Sequence, residues 1–206
     1  MKVVLVGGGG HCRSCIDVIR DAGLEIAGIV DPQPVSELFS LPRLGNDDWL
    51  ESPEARKFRF LVTLGQVGLA PLRRKIFASL QNLRLECVTV FGANAVISGS
   101  AKVGVGSIIL NRAAVNAGAK VGMNCIINTG AIVEHGASIG DHSHISTGAI
   151  VNGDAVVGSG CLIGSGAIVL QGVKVAPDTI VGAGAVVTAD IVASGTWVGI
   201  PARMIS

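Results

Sequence analysis

The chain has 206 residues, a formal net charge of +1, and a composition that is 49% hydrophobic but only 3% aromatic. A nearly neutral chain without a run of lysine or arginine argues against nucleic acid or an anionic membrane as the main partner. No apolar run reaches transmembrane length, and the opening MKVVLVGGGG is too short and too rich in glycine for a signal peptide, so we expect a cytoplasmic protein.

The first ninety residues predict a small Rossmann-like α/β domain, residues 1–90. Residues 2–6 read as a buried strand that runs through GGGGH into a helix over residues 12–22. A strand, a glycine loop and a helix N-terminus can together hold a phosphate. The dinucleotide fingerprint GxGxxG is incomplete, because Cys12 or Arg13 stands where its third glycine belongs, so NAD is not favoured. A glycine turn without a ligand is the alternative.

The remaining elements of this domain alternate in the same way. Further strands are predicted over residues 24–31, 58–65 and 85–90, with a short helix at 47–54, a helix at 71–82 and a loop at 32–44. Ligands of such sheets bind at the carboxyl ends of the strands. The candidate nucleotide-binding residues are therefore Gly8, Gly9, Gly10, His11, Asp31 and Gly65.

A six-residue repeat organises the next domain, residues 91–190. Every sixth residue from Ile97 to Val187 is valine or isoleucine, at sixteen positions without a departure. The residue two positions before each valine or isoleucine is almost always small. The residue three positions before it is Gly, Asn or Asp in thirteen of the sixteen repeats, and these residues tolerate positive φ. Three repeats make a triangular coil of about eighteen residues, so the pattern predicts a parallel β-solenoid with an aliphatic axis. Residues 191–206 form a C-terminal tail.

Three motifs narrow the class of protein. The GGGGH loop, the segment NTGAIVEHGASIGDHSHIS and the closing GIPAR together resemble bacterial sugar acyltransferases. That family includes the bacillosamine- and perosamine-pathway N-acetyltransferases and the sialic acid O-acetyltransferases. The resemblance covers nearly the whole chain. It implies a left-handed β-helix, a homotrimer, and transfer of an acetyl group from acetyl-CoA to a sugar, with the nucleotide of a nucleotide-sugar held by residues 1–90.

His135 is the candidate general base, because it matches the family's catalytic histidine and histidine accepts protons near neutral pH. The family usually has Glu or Asp next, whereas this chain has Gly136. Three carboxylates could orient the imidazole instead: Glu134, Asp154 or Asp141. Glu134 and Asp154 are preferred, since Asp154 is expected to stack one coil, about 5 Å, over Gly136.

His144 lies nine residues after His135, which is half a coil. The two side chains are therefore expected on opposite sides of the prism, and they can share an active site only if it forms between two subunits. The resemblance places His144 near the acetyl-CoA thioester and Asn128 near the reacting group, although either could be an ordinary surface residue. His142 falls on a turn position and is expected to be structural.

The resemblance also implies a CoA site along the β-helix and the GIPAR loop. Arg203 suits a phosphate because its charge is permanent. The candidate CoA ligands are His144, Gly148, Ala149, Gly166, Gly184, Pro201 and Arg203.

The expected function is acetyl-CoA-dependent N-acetylation of a UDP-, dTDP- or GDP-linked amino-deoxy sugar for surface glycans or protein glycosylation, without a metal. One alternative is O-acetylation of sialic acid or another sugar. A second alternative is a non-catalytic trimer that binds a nucleotide-sugar, because Gly136 replaces the acidic residue that usually follows the family's catalytic histidine. A zinc site of the gamma-class carbonic anhydrase type is disfavoured, because HxxxxxxHxH does not resemble its ligand spacing.

Overall fold

The computed structural model describes residues 2–34 and 40–205, so part of the loop predicted at 32–44 lies outside the described residues. The chain begins with a parallel four-stranded sheet in the order β3-β2-β1-β4. Its strands are β1 (Val3–Val6), β2 (Ile26–Val30), β3 (Arg43–Gly45) and β4 (Arg59–Val62). Two helices, α1 (Gly10–Asp21) and α2 (Pro71–Asn82), accompany the sheet.

The sheet is buried on both faces. Val3 and Leu5 pack with α1, whereas Val4 and Val6 pack with Phe77 of α2. This double burial explains why β1 is a continuous apolar run rather than an alternating one.

Three predicted elements of this domain are corrected. The loop at 32–44 ends in β3, which pairs with β2. The short helix predicted at 47–54 is a 3₁₀ helix, Asp47–Glu51, that ends before Pro53, which cannot donate a helical hydrogen bond; a second 3₁₀ turn, Ala55–Lys57, follows. The strand at 85–90 is reduced to one bridge between Cys87 and Phe60, and its end joins the β-helix as β5 (Val90–Phe91).

The predicted left-handed parallel β-helix is confirmed. Each of the sixteen inward valines and isoleucines is the last residue of a short strand, and strands pair with a register of eighteen residues, as in Val121↔Ile139. The turn residue before each small residue has positive φ from Gly106 to Gly184. Strands β6 to β21 are Val96–Ile97, Lys102–Val103, Ile108–Ile109, Ala114–Val115, Lys120–Val121, Ile126–Ile127, Ile132–Val133, Ser138–Ile139, His144–Ile145, Ile150–Val151, Val156–Val157, Leu162–Ile163, Ile168–Val169, Lys174–Val175, Thr179–Val181 and Val186–Val187.

The three faces of the prism differ in their outward residues. The covered face is an eight-stranded sheet that contains β5, β8, β11, β14, β17, β20 and two strands of the tail, and its residues Ile108 and Ile126 are buried against α1. The five-stranded sheet β19-β16-β13-β10-β7 is the lysine face, whose outward residues are Lys102, Lys120, Ser138, Val156 and Lys174. The six-stranded sheet β21-β18-β15-β12-β9-β6 is the aliphatic face, whose outward residues are Val96, Ala114, Ile132, Ile150, Ile168 and Val186.

Helix α2 holds the N-terminal sheet against the corner between the lysine and covered faces. Arg73 is 1% exposed, and its guanidinium donates to the carbonyl oxygens of Asn124 and His142 on consecutive coils. Arg74 forms an ion pair with Asp178 farther along the same corner. The contacts therefore span several coils and tie the two parts of the chain together.

The tail extends the covered face with β22 (Gly195–Val198), parallel to β20, and β23 (Arg203–Met204), antiparallel to β22. Trp197 packs against the end of the aliphatic core. Within residues 2–34 and 40–205, no helix is long and apolar enough to cross a membrane.

Candidate active site

The glycine loop opens at the carboxyl end of β1. Gly7 has φ of 107°, and a Cβ there would overlap the side chain of Leu64, so glycine is required at this position. Nothing lies within 4 Å of a Cβ placed on Gly9 or Gly10, which leaves the start of α1 open. The loop can therefore admit a ligand close to its backbone.

Asp31 shapes this loop. Its Oδ2 accepts the Gly8 N–H at 2.7 Å and its Oδ1 accepts the Gln33 N–H at 2.8 Å. The Gly8 amide is consequently engaged by the protein itself, and the amides that remain for an anion belong to the residues after it.

A cleft of about 290 Å³ lies beside the loop at the carboxyl edge of β1 and β2. Asp31 and Asp47 lie on its rim, and α2 contributes Leu72 and Ile76. The remaining lining is mostly aliphatic, which suits the flat ring of a base flanked by polar groups. Gly65 lies elsewhere, since a Cβ placed on it would contact the Cβ of His11 at 3.0 Å.

His11 and His144 meet where the glycine loop touches the covered face. Their ring centroids are 6.3 Å apart, and His144 is 6% exposed. Burial, with the charge of Arg73, lowers the pKa of His11 to about 4. Burial is the largest cause of a second shift, and electrostatic repulsion from His11 and Arg73 adds to it: together they lower the pKa of His144 to about 3. Both imidazoles are therefore neutral at pH 7.

Asn128 sets the tautomer of His144. Its Oδ1 accepts the Thr129 N–H at 2.8 Å, so its amide nitrogen must be the atom that faces Nε2 of His144 at 3.0 Å. That nitrogen donates, which leaves the proton of neutral His144 on Nδ1. Nδ1 of His144 and Nε2 of His11 are both buried without a hydrogen-bond partner. His144 thus presents an N–H donor beside the glycine loop, near the backbone of Gln66.

His135 lies at the corner between the aliphatic and lysine faces, the corner opposite the covered face that carries His144. The imidazole is exposed, and its ring lies over Gly153 of the next coil: a Cβ placed on Gly153 would be 2.7 Å from Nε2 of His135. The chain therefore does not bring His135 and His144 together within one prism.

The three carboxylates considered for His135 have different contacts. Oε2 of Glu134 accepts the backbone N–H of His135 at 3.2 Å. Oδ1 of Asp141 accepts the Met123 N–H at 2.8 Å, which holds Asp141 on a neighbouring turn. The carboxylate of Asp154 occupies the space where a side chain of Gly136 would be.

His142 packs as part of the α2 contact. Its ring is edge-on to Phe77 at 5.7 Å, and Nδ1 pairs with the amide of Asn124 at 2.9 Å. Burial and the charge of Arg73 lower its pKa. These contacts agree with the structural role expected for it.

Three candidate CoA residues, Gly148, Gly166 and Gly184, lie in a row at the corner between the covered and aliphatic faces, and this open row is called the Gly148 groove. Nothing lies within 4 Å of a Cβ on Gly148, Gly166 or Gly184, which stack on successive coils. The tail closes the upper end, where Ala202 N–H donates to the Val186 carbonyl at 2.8 Å.

Three residues of this set differ in accessibility. Pro201 and Arg203 are exposed at the upper end of the groove, and Nη1 of Arg203 donates to the Ala202 carbonyl at 3.0 Å. Ala149 is corrected: its methyl is fully buried in the core, and its backbone groups bond to Ser146 and Ile132, so it does not line the surface.

Gln66 and Arg73 were missed by the sequence reasoning. Nη2 of Arg73 donates to Oε1 of Gln66 at 2.8 Å, and Nε2 of Gln66 donates to the Gly68 carbonyl at 2.9 Å. Gln66 is 6% exposed and lies next to His144. No pattern in the sequence marks a buried arginine on a helix with charged neighbours. Among the described residues, no group of His, Cys, Asp and Glu has the geometry to hold a metal ion.

Comparisons with known proteins bear on these residues. The family described as PglD N-terminal domain matches residues 2–80, and the family described as bacterial transferase hexapeptide (six repeats) matches residues 154–189. A histidine-to-asparagine mutant of perosamine N-acetyltransferase from Caulobacter crescentus, in complex with CoA and GDP-perosamine, superposes with a TM-score of 0.94. It is 33% identical, and the match covers 100% of this chain and 97% of that chain. The chain belongs to the hexapeptide acyltransferases.

Two further structures extend the comparison. The acetyltransferase domain of PglB from Neisseria gonorrhoeae, in complex with acetyl coenzyme A, is 30% identical with a TM-score of 0.92, over 99% of this acyltransferase and 98% of that chain. WeeI from Acinetobacter baumannii has a TM-score of 0.87 over 100% of both chains, and at 23% identity it supports the fold alone. Among curated proteins, no sequence matches. The resemblance inferred from the motifs is confirmed.

Proposed function

We propose that this acyltransferase moves an acetyl group from acetyl-CoA to the amino group of a nucleotide-linked amino-deoxy sugar. The observation that carries the proposal is the Nδ1–H of His144, buried beside an open glycine loop. The similarity to an enzyme solved with CoA and GDP-perosamine supports the choice of substrates. Both substrates are cytoplasmic metabolites, which is the basis for assigning the protein to the cytoplasm.

His144 is the proposed donor to the thioester. When the amine attacks, negative charge develops on the carbonyl oxygen, and a fixed N–H stabilises that charge in a site from which water is excluded. A neutral imidazole held in one tautomer by Asn128 meets this need without reorganisation. A pKa of about 3 keeps His144 from becoming a competing acid at neutral pH.

His135 is the proposed general base. As the nitrogen–carbon bond forms, His135 takes a proton from the amine, and the carbon–sulfur bond then breaks. The proton passes to the thiolate of CoA or to water, so the histidine returns to its starting state. Positioning of the two substrates supplies the rest of the acceleration.

The complete site is proposed to form between copies of the chain in a homotrimer. The aliphatic face presents six aliphatic residues, one from each strand, of which Val96 is exposed and the other five are half-buried. Burial of such an apolar strip in an interface is favourable. Burial of the lysine face would be unfavourable, because its charged side chains would lose their contact with water. The aliphatic face is flanked by the His135 corner and by the Gly148 groove. Packing of this face against a second copy therefore brings His135 of one chain toward His144 of the next.

The nucleotide is proposed to bind the glycine loop and the neighbouring cleft. A diphosphate would face the open amides after Gly8, and the base would enter the cleft between Asp31 and Ile76. Carboxylates at the rim accept hydrogen bonds, and guanine offers N–H donors along one edge, as it does in DNA. GDP-linked acceptors are therefore the first to test.

The test is CoA release from acetyl-CoA with GDP-, UDP- and dTDP-linked amino sugars and with free sialic acid. The expected result is turnover with one nucleotide-linked amino sugar, reduced about 10² to 10⁴-fold in His135→Ala. Turnover with sialic acid alone would replace the proposal with O-acetylation. Binding of nucleotide-sugar without any turnover would indicate the non-catalytic trimer.

A second experiment tests the shared site. His135→Ala and His144→Ala chains are unfolded, mixed and refolded together. If each site takes one histidine from each of two chains, mixed trimers contain some intact sites and recover a fraction of wild-type activity. Mixtures as inactive as either parent, with heterotrimers present by mass spectrometry, would mean that each site uses a single chain.

A further inference from the structure

We infer that Asp154 is the residue that positions the catalytic imidazole of His135, an inference that rests on the function proposed above. The two residues belong to consecutive coils of one corner. The Asp154 N–H donates to the His135 carbonyl oxygen at 3.0 Å, so their backbones are joined directly.

The two side chains cross between the coils. The His135 ring leans over Gly153, which is the residue before Asp154. The Asp154 carboxylate leans back over Gly136, which is the residue after His135. Each side chain thus occupies the space left free by a glycine on the other's coil, which places the imidazole and the carboxylate at neighbouring positions of one corner.

Backbone conformation accounts for only one of these glycines. Gly136 has φ of 68°, as do turn residues throughout the prism, so its identity has a conformational reason. Gly153 has no positive φ, and a Cβ there would meet the His135 ring in its present position. The absence of a side chain at Gly153 therefore leaves room for the ring on the coil of Asp154.

The other two carboxylates are already engaged. Glu134 accepts the His135 amide, and Asp141 accepts the Met123 amide one turn away. Within residues 2–34 and 40–205, the Asp154 carboxylate has no hydrogen-bond or ion-pair partner, so it is available to the imidazole.

Asp154 acts without taking a proton. When His135 removes a proton from the attacking amine, the imidazole becomes an imidazolium cation beside the carboxylate. The carboxylate stabilises that cation and restricts rotation of the ring. The proton then leaves His135 for the CoA thiolate, and Asp154 stays ionised throughout. This role lowers the barrier without adding to the affinity for either substrate.

The test compares Asp154→Asn with wild type in steady-state kinetics. The expected result is a fall in kcat of at least about tenfold, within the range that a general base supplies, with KM for acetyl-CoA and the acceptor unchanged. Asp141→Asn is the matched control, since it removes the same charge from a carboxylate that serves only a turn. Thermal unfolding of both variants checks that neither has lost the fold.

A rescue experiment excludes a merely structural role. The double variant Gly136→Asp with Asp154→Gly moves the carboxylate by one coil while keeping it beside His135. Both positions have left-handed backbone, with φ of 68° and 57°, which aspartate and glycine tolerate. We expect Asp154→Gly alone to be impaired and the double variant to recover most of kcat.

The outcomes separate this inference from the proposed function. If His135→Ala is inactive but Asp154→Asn keeps wild-type kcat, the inference about Asp154 is wrong and the function stands. If His135→Ala is as active as wild type, the assignment of the base fails, and the role of Asp154 fails with it. A double variant that is folded yet no better than Asp154→Gly would also overturn the inference.

Discussion

The amide nitrogen of Asn128 lies 3.0 Å from Nε2 of His144, and the same amide is held in place by the Thr129 N–H. One asparagine therefore decides which nitrogen of a buried histidine carries the proton.

Asn128→Asp should invert this arrangement. The carboxylate still accepts the Thr129 N–H but also requires a donor from His144, so the proton moves to Nε2 and the donor at Nδ1 is lost. We expect kcat to fall about 10² to 10³-fold, as when one donor to a developing oxyanion is removed. The control is Asn94→Asp at an exposed turn. Wild-type kcat in a folded Asn128→Asp protein would contradict the assignment.

Acid should destabilise the protein through His11 and His144. Their folded pKa values, about 4 and about 3, lie below the ordinary value of 6.5, so the unfolded chain binds protons first as the pH falls. Stability from these groups is complete above pH 6.5 and is lost below it. At pH 5 we expect a loss of about 2 kcal/mol per histidine.

The measurement is urea unfolding at pH 7 and pH 5, with a variant carrying glutamine at both positions as the comparison. That variant should lose less free energy of unfolding between the two pH values than wild type does. Equal losses would show that the acid sensitivity arises from other groups.

Arg73→Met should destabilise the contact between α2 and the β-helix. It leaves buried acceptors on Gln66, Asn124 and His142 without their donor, at about 1 to 3 kcal/mol for each unsatisfied group. Arg74→Ala is the control, because its ion pair is partly exposed and such pairs contribute about 1 kcal/mol or less. Chemical denaturation measures the free energy of unfolding of both variants. Equal effects of the two substitutions would contradict the importance of the buried arginine.

Ile150→Asp should dissociate the proposed trimer. The substitution places a charge at the centre of the aliphatic face, where desolvation in an interface is unfavourable. Ser138→Asp on the lysine face is the control and should leave the assembly intact. Sedimentation velocity measures the mass of the assembly that each variant forms. A trimer of unchanged stability in Ile150→Asp would exclude this face as the interface.

Gly166→Asn should weaken acetyl-CoA binding. Asparagine tolerates the positive φ of 66°, and open space surrounds the site, so the fold is retained while the side chain fills the groove. We expect KM for acetyl-CoA to rise about tenfold or more, with KM for the nucleotide-sugar unchanged. An unaltered KM for acetyl-CoA would place CoA elsewhere on the prism.

The sequence by itself determined the β-helix. Its β-branched, small and turn positions recur at a fixed spacing, and local geometry alone then dictates which side chains enter the core, as at Val133 and Ile145. The half-coil separation of His135 and His144 followed from the same arithmetic. The strand at residues 85–90 was predicted wrongly, because pairing partners far along the chain drew Val90 into the prism.

Only the tertiary structure decided the contacts between the N-terminal sheet and the prism. The burial of Arg73, the pairing of His11 with His144 and the tautomer set by Asn128 all depend on how α1 and α2 dock. The same holds for the crossing of His135 and Asp154, since the repeat predicts which residues stack but not which way their side chains lean. Burial and hydrogen bonding between distant segments are properties of the assembled chain, and no local pattern in the sequence encodes them.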